Sequence, residues 1–345
     1  MSESSTAASE LRRPASRGCP SVAGRRVTDL SAALGGLVWL AIVVGAQTGA
    51  IGSSAVERYV ALATLVLVPL GLGFLQPVRD VTGSRTLYTA VVVGQFPAAL
   101  AVVAGLAASQ GSVVAVALVV PWIGVTGGVA LLGAQRLASR RGGPLPELAI
   151  DVACLYVPVA AVFVLLHTAG IGLGFAPIIV LLTGVHFHYA GFVLPLVVGL
   201  TGRLLTDEDG RFGSTIVGRT GAATTVVILV GIGLIAVGIA FSALLEAVAV
   251  LVFALAVVGF AVLWVRAVVP AVARVPGALL SVAALSVCWT MALALAFAYS
   301  SLPGTSVLIT IPEMVRWHGS VNAVGFALPA LLAFRLLEKE RRPSP

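Results

Sequence analysis

Apolar runs of about 20 residues, long enough for a helix to cross a hydrocarbon core, follow one another along nearly the whole chain. Ten can be bounded: Leu30–Ala50, Val56–Leu75, Leu87–Ala107, Val113–Leu132, Leu148–Thr168, Phe175–Gly199, Ala222–Ala240, Ala243–Val265, Ala278–Ser300 and Ile311–Leu337. Each is apolar all round rather than along one stripe, which excludes soluble amphipathic helices. The tenth is long because Pro312, Glu313 and Arg316 are expected at its outer interface or in a cavity. The pattern predicts an all-α fold, a polytopic transmembrane helical bundle, with 29–337 as a single helical domain. Residues 1–28, rich in Ser, Ala and Arg, read as a disordered basic tail. Residues 338–345 read as a short charged one. The first run is too long for a signal-peptide core and is expected to be a retained span.

Composition agrees with a lipid-bilayer partner. The chain is 59% hydrophobic and 10% charged, whereas soluble domains carry about a quarter charged residues; its mean hydropathy is +1.07. Arginine then supplies an orientation. Arg12, Arg13, Arg17, Arg25 and Arg26 precede the first span, and Arg79 and Arg85 follow the second. Arg136, Arg140 and Arg141 follow the fourth; Arg203, Arg211 and Arg219 the sixth; Arg266 and Arg274 the eighth. Lys339, Arg341 and Arg342 follow the tenth, while the opposite connections hold no Lys or Arg. The positive-inside rule therefore puts both termini in the cytoplasm. Topology accounts for the net charge of +7, so no nucleic-acid partner is required.

Cys19, Cys154 and Cys288 show no paired spacing, so neither a disulfide framework nor a zinc knuckle is expected. Asp207–Gly210 reads as a solvated turn, and no P-loop, GxGxxG or HExxH signature occurs.

Candidate chemistry lies inside the spans. All four histidines, His167, His186, His188 and His318, fall in or at the end of apolar runs. An ionisable side chain costs roughly 2.5–3.5 kcal/mol at a helix centre on insertion scales, so such residues usually face inward and act. His186 and His188 are two apart, about 200° of rotation, and cannot both chelate one ion on an unbroken helix. His318 and Asn322 share a face, and Glu313 and Arg316 can pair beside them. Glu57 and Arg58 can pair likewise. His167, at an interface, is the weakest candidate. The ranked set is His188, His318, Asn322 and His186, then Glu313 and Arg316.

A short echo links two spans. Gly191-Phe192-Val193-Leu194-Pro195 matches Gly325-Phe326-Ala327-Leu328-Pro329, and alignment on the glycines pairs His188 with Asn322. Each proline lacks an N–H and frees a carbonyl one turn back, which needs a polar partner at membrane depth. The bland reading is that these polar groups only repair a kink.

HFHYAGF (His186–Phe192) and RWHGSVNAVGF (Arg316–Phe326), in a chain of about ten spans, resemble segments of the YndJ-like family of prokaryotic membrane proteins. The resemblance implies that His186, His188, His318 and Asn322 are motif positions; it implies no established activity, although the family is sometimes described as transporter-like. Three readings stay open. A transporter would bind a small molecule or relay protons through these groups in the outer half of the bilayer. A membrane-embedded enzyme would use them on a lipid, or on a metal or haem, with His188 and His318 as candidate ligands. A non-catalytic sensor or assembly factor is the third.

Overall fold

The computed structural model describes residues 19–78, 81–141 and 143–340. Arg12, Arg13, Arg17, Arg79, Arg341 and Arg342, and most of both tails, lie outside the described residues. Among the described residues, ten helices are long and apolar enough to cross a membrane: α1 Val27–Gln47, α2 Ala55–Leu72, α3 Ser84–Ala107, α4 Val113–Arg140, α5 Leu145–Thr168, α6 Pro177–Leu205, α7 Ile216–Phe241, α8 Ala243–Ala271, α9 Arg274–Ser300 and α10 Ile311–Lys339. Ahead of α1, β1 (Ser21–Val22) pairs antiparallel with β2 (Arg25–Arg26) around Ala23 and Gly24, both at positive φ. Arg26 turns inward from this hairpin and donates to the Gly73 carbonyl at 3.2 Å.

Helix starts follow local capping chemistry. Ser54, Ser112, Thr215 and Ser242 each accept from a backbone N–H three residues on. Such caps contribute about 1 kcal/mol apiece. Ser54 and Glu57 form a reciprocal capping box, and so do Thr310 and Glu313. Glu57 therefore serves its own helix start, and Arg58 donates to the Ser53 carbonyl; the expected Glu57–Arg58 pairing gives way to these local bonds.

The described residues fall into two compact units. The N-terminal unit lies within Ala15–Arg141 and Asp151–Leu194, and the C-terminal unit within Gly142–Ile150 and Pro195–Pro345. In the first, α2 is the most enclosed helix. Gly35 of α1 lets that helix close on it, because a Cβ there would overlap the Leu65 carbonyl oxygen. Gly35→Val is therefore expected to destabilise the protein by roughly 1–3 kcal/mol, the usual cost of overpacking. Thermal unfolding of purified protein reads this, and an unchanged midpoint would show that α1 is not held at this crossing. In the second unit, α7 and α8 form a tight hairpin, followed by α9 and α10.

Apolar side chains cover the outside. Leu34, Leu37, Leu40 and Val44 form an exposed stripe on α1; Leu244, Val248, Leu251, Leu255 and Val262 form another on α8. Lipid tails are as apolar as these residues, so the surface needs no polar cover.

Four helices change pitch midway. Among the described residues, π-helical turns occupy Ala63–Leu67 in α2, Phe187–Val193 in α6, Trp264–Val268 in α8, and Met314–Gly319 and Val321–Ala327 in α10. At all but Met314–Gly319, the residue before a proline (Pro69, Pro195, Pro270, Pro329) donates its N–H five residues back. A proline ring clashes with the carbonyl four residues earlier, and a wider turn moves that carbonyl aside. Pro97, Pro121 and Pro158 sit inside α-helical stretches without such a turn, so proline permits the widening without dictating it.

Candidate functional site

The two echoed segments have the same local form. Phe187–Val193 and Val321–Ala327 are both seven-residue π-helices, each followed by an α-helical Leu-Pro start. His188 and Asn322 occupy the second position of each. A π turn winds less per residue than an α turn, which shifts the facing of the side chains that follow.

In the N-terminal unit, three consecutive residues of α6 reach three different helices. The Phe187 ring lies 5.7 Å from that of Tyr156 on α5. Trp122 of α4 donates its indole N–H to His188 Nε2 at 3.3 Å. Tyr189 donates its hydroxyl to the Tyr59 carbonyl of α2 at 2.9 Å. His188 Nδ1 lies 2.8 Å from the Gly184 carbonyl. A carbonyl only accepts, so Nδ1 carries the hydrogen; an indole only donates, so Nε2 is the acceptor. His188 is 0% exposed, and in this state it offers neither nitrogen to a ligand or metal. His186, two residues earlier, points to the opposite side, is exposed, and places Nδ1 3.0 Å from its own helix at Leu182 O.

His167 holds helix ends together. Its Nδ1 donates to the Pro177 carbonyl at 3.1 Å, and its own carbonyl accepts from Gln110 Nε2 at 2.7 Å. The loop before α4, the end of α5 and the start of α6 meet there.

In the C-terminal unit, His318 and Asn322 converge on one residue of α9. His318 Nδ1 donates to the Thr290 carbonyl at 2.9 Å. Thr290 Oγ1 lies 3.0 Å from Asn322 Oδ1 and 3.2 Å from the Val287 carbonyl. A hydroxyl has one hydrogen, so Thr290 can turn it from its own helix to Asn322. Thr290 is fully buried, whereas His318 and Asn322 are partly exposed. One turn on, a Cβ at Gly325 would overlap Ser286 Oγ of α9, and Phe326 packs 6.3 Å from the Trp264 ring. Small and polar residues thus line the α9–α10 seam.

Glu313 and Arg316 do not form the expected ion pair. Glu313 Oε2 accepts from the Thr310 N–H at 2.8 Å and from its hydroxyl at 2.7 Å. Arg316 stacks over the neighbouring Trp317, 4.9 Å from the ring centroid. The capping geometry satisfies Glu313 locally, which removes the drive to reach a flexible arginine.

Three residues outside the sequence-derived set matter. Thr290 and Trp122 hold the two polar motif residues, and nothing in their local sequence distinguishes them from other apolar-helix Thr and Trp. Asp151 is the third. It is 1% exposed, and Arg136 Nε donates to its Oδ1 at 2.7 Å with Arg140 Nη2 at 3.3 Å. Separately, in the C-terminal unit, buried Glu147 takes a bidentate pair from Arg203 at 2.5 and 2.9 Å. Acidic residues on an otherwise apolar helix were the signal for these pairs. Among the described residues, no three His, Cys, Asp or Glu side chains converge as a metal site.

The profile of the YndJ-like protein family matches residues 58–326, which include both motif segments. The uncharacterized membrane protein YndJ of Bacillus subtilis (strain 168) is 29% identical over 163 residues, 47% of this chain and 28% of that protein. The match thus spans under a third of the relative's own length. No solved structure matches. With the family profile covering well over half of a chain that carries ten membrane-crossing helices, the protein belongs to the YndJ-like family of prokaryotic multi-pass membrane proteins.

Proposed function

We propose that the protein is a transporter, not an enzyme, relaying protons through an intramembrane site formed by His318, Thr290 and Asn322. One observation carries this reading: a half-accessible imidazole and amide meet on one buried threonine, within a helix whose α-winding is interrupted at membrane depth. Interrupted helices near the midplane supply ligands in many transporters, and π turns are frequent at functional sites. Imidazole titrates near neutral pH, so His318 is the group of this set suited to carrying a proton. The Thr290 hydroxyl turns toward Asn322 or back to Val287 as the occupant changes. Glu313 and Arg316 stand at the mouth, before His318 along α10, with Arg316 held by Trp317. His188 and its partners fasten α6, and His186 stays on the exposed side of that helix.

Both termini are cytoplasmic in this reading, because the arginines cluster after even-numbered spans. In a cysteine-free background, Gly52→Cys and Gly304→Cys are expected to react with an impermeant maleimide on intact cells, and Asp209→Cys only after permeabilisation. The reverse labelling would invert the topology and place the His318 site in the inner half.

The functional test is proton movement in liposomes holding purified protein. Wild type is expected to dissipate an imposed gradient, His318→Ala to lose that activity and Thr290→Val to weaken it.

A further inference from the structure

Gln95, at the middle of α3, is 0% exposed, and neither its Oε1 nor its Nε2 has a hydrogen-bond partner among the described residues. Four other buried polar side chains of the N-terminal unit are hydrogen-bonded. Tyr88 donates to Leu72 O, Thr64 to Val60 O, Thr126 to Trp122 O, and Trp122 to His188. Gln95 stands out among them.

Two registers place it. Tyr88 and Gln95 are seven residues apart and share one helix face. Seven residues back from Leu72, along antiparallel α2, is Leu65, inside the π turn Ala63–Leu67. On the other side, a Cβ at Gly94 would lie 4.0 Å from Val125 of α4, so Gln95 is level with the turn from Trp122 to Thr126. The amide therefore lies in a mid-membrane layer with Thr64, Trp122 and Thr126, and Trp122 extends that layer to His188.

We infer that this layer encloses internal water, with Gln95 as its principal ligand. A carboxamide needs a donor for its oxygen and acceptors for its two N–H groups, and water is the smallest molecule that supplies both. Leaving the amide dry at this depth costs more than immobilising a water beside it. Irregular backbone within a bilayer is tolerated where it lines such a cavity, and the α2 π turn lies at this level. The layer is neutral: the nearest charged residue along α3 is Arg85, ten residues away, and both ring nitrogens of His188 are spent. A charged guest would have no counter-charge here. The site belongs to the N-terminal unit and does not depend on the transport reading.

The test is a crystal structure of the full chain grown in lipid, at a resolution that shows ordered water. Density within hydrogen-bond distance of both Gln95 amide atoms supports the inference. A Gln95 packed only against apolar atoms, or turned onto a protein partner, overturns it. Gln95→Met, of similar volume, gives an independent reading in thermal unfolding. A watered amide is already satisfied, so its loss lowers the midpoint. A dry, unpaired amide is a liability, so a raised midpoint overturns the inference.

Discussion

Asp151→Ala is expected to cost about 3–5 kcal/mol of stability, the range for removing one partner of a buried ion pair. Asp151 is held by Arg136 Nε and Arg140 Nη2, and Arg136 also donates to the Gln76 carbonyl at 3.3 Å. Deleting the carboxylate leaves two guanidinium groups facing each other beside an apolar interior. Arg140 is the more exposed of the two and can swing its charge outward along its aliphatic stem. Arg136 is buried and cannot. Asp151→Asn keeps the shape and one acceptor, so its loss is expected to be smaller. Combining Asp151→Leu with Arg136→Leu should recover much of the stability, because a buried pair is often close to neutral against an apolar replacement. The measurement is thermal or denaturant unfolding of purified protein in lipid nanodiscs. Equal stability of wild type and Asp151→Ala would mean that the pair is screened by water and does not hold α4 to α5.

Some of this architecture is legible in the chain and some is not. Ten spans follow from hydropathy alone, because in lipid every backbone group must be satisfied within the helix. Helix ends are less visible: the sixth apolar run stops near Gly199, yet α6 continues to Leu205, since Arg203 is neutralised by Glu147 and the helix can carry it. The same pairing complicates the arginine count. Arg26, Arg136 and Arg203 mark orientation in the sequence, yet each is committed to a partner inside the fold.

The Gly-Phe-x-Leu-Pro echo is visible as a pattern, and proline predicts a disturbed helix. That the disturbance is a π turn in both copies is a matter of packing. The histidines divide along the same line. Burial cost points to all four, but a side chain can meet that cost by bonding to neighbours instead of serving a ligand. His188 does so through Trp122 and Gly184; His167 does so through Pro177. Such partners lie far away in sequence and carry no local signal. The roles of Glu57 and Glu313 are different: the Ser54-x-x-Glu57 and Thr310-x-x-Glu313 spacings already encode capping boxes. Charge proximity suggested ion pairs with Arg58 and Arg316, and local geometry prevailed because it needs less side-chain ordering.

His318 and Asn322 are partly exposed, and the second large effect is expected there. Thr290→Val removes only the hydroxyl and keeps the volume and the backbone carbonyl that receives His318. It should leave folding intact while lowering transport by about tenfold or more, the equivalent of one lost hydrogen bond of about 1.4 kcal/mol or greater in the loaded state. Asn322→Ala should act similarly. His318→Ala removes the titrating group and is expected to abolish proton movement while membrane insertion is preserved. Matched losses of stability in all three variants would instead mark the seam as a helix fastening like that of His188.

The most direct test is proton flux in liposomes loaded with a pH-sensitive fluorophore and containing the purified full chain. An imposed gradient should collapse faster with wild-type protein than in protein-free liposomes, and His318→Ala should match the protein-free rate. Wild-type liposomes no faster than empty ones, or a His318→Ala variant as fast as wild type, would contradict the transport reading.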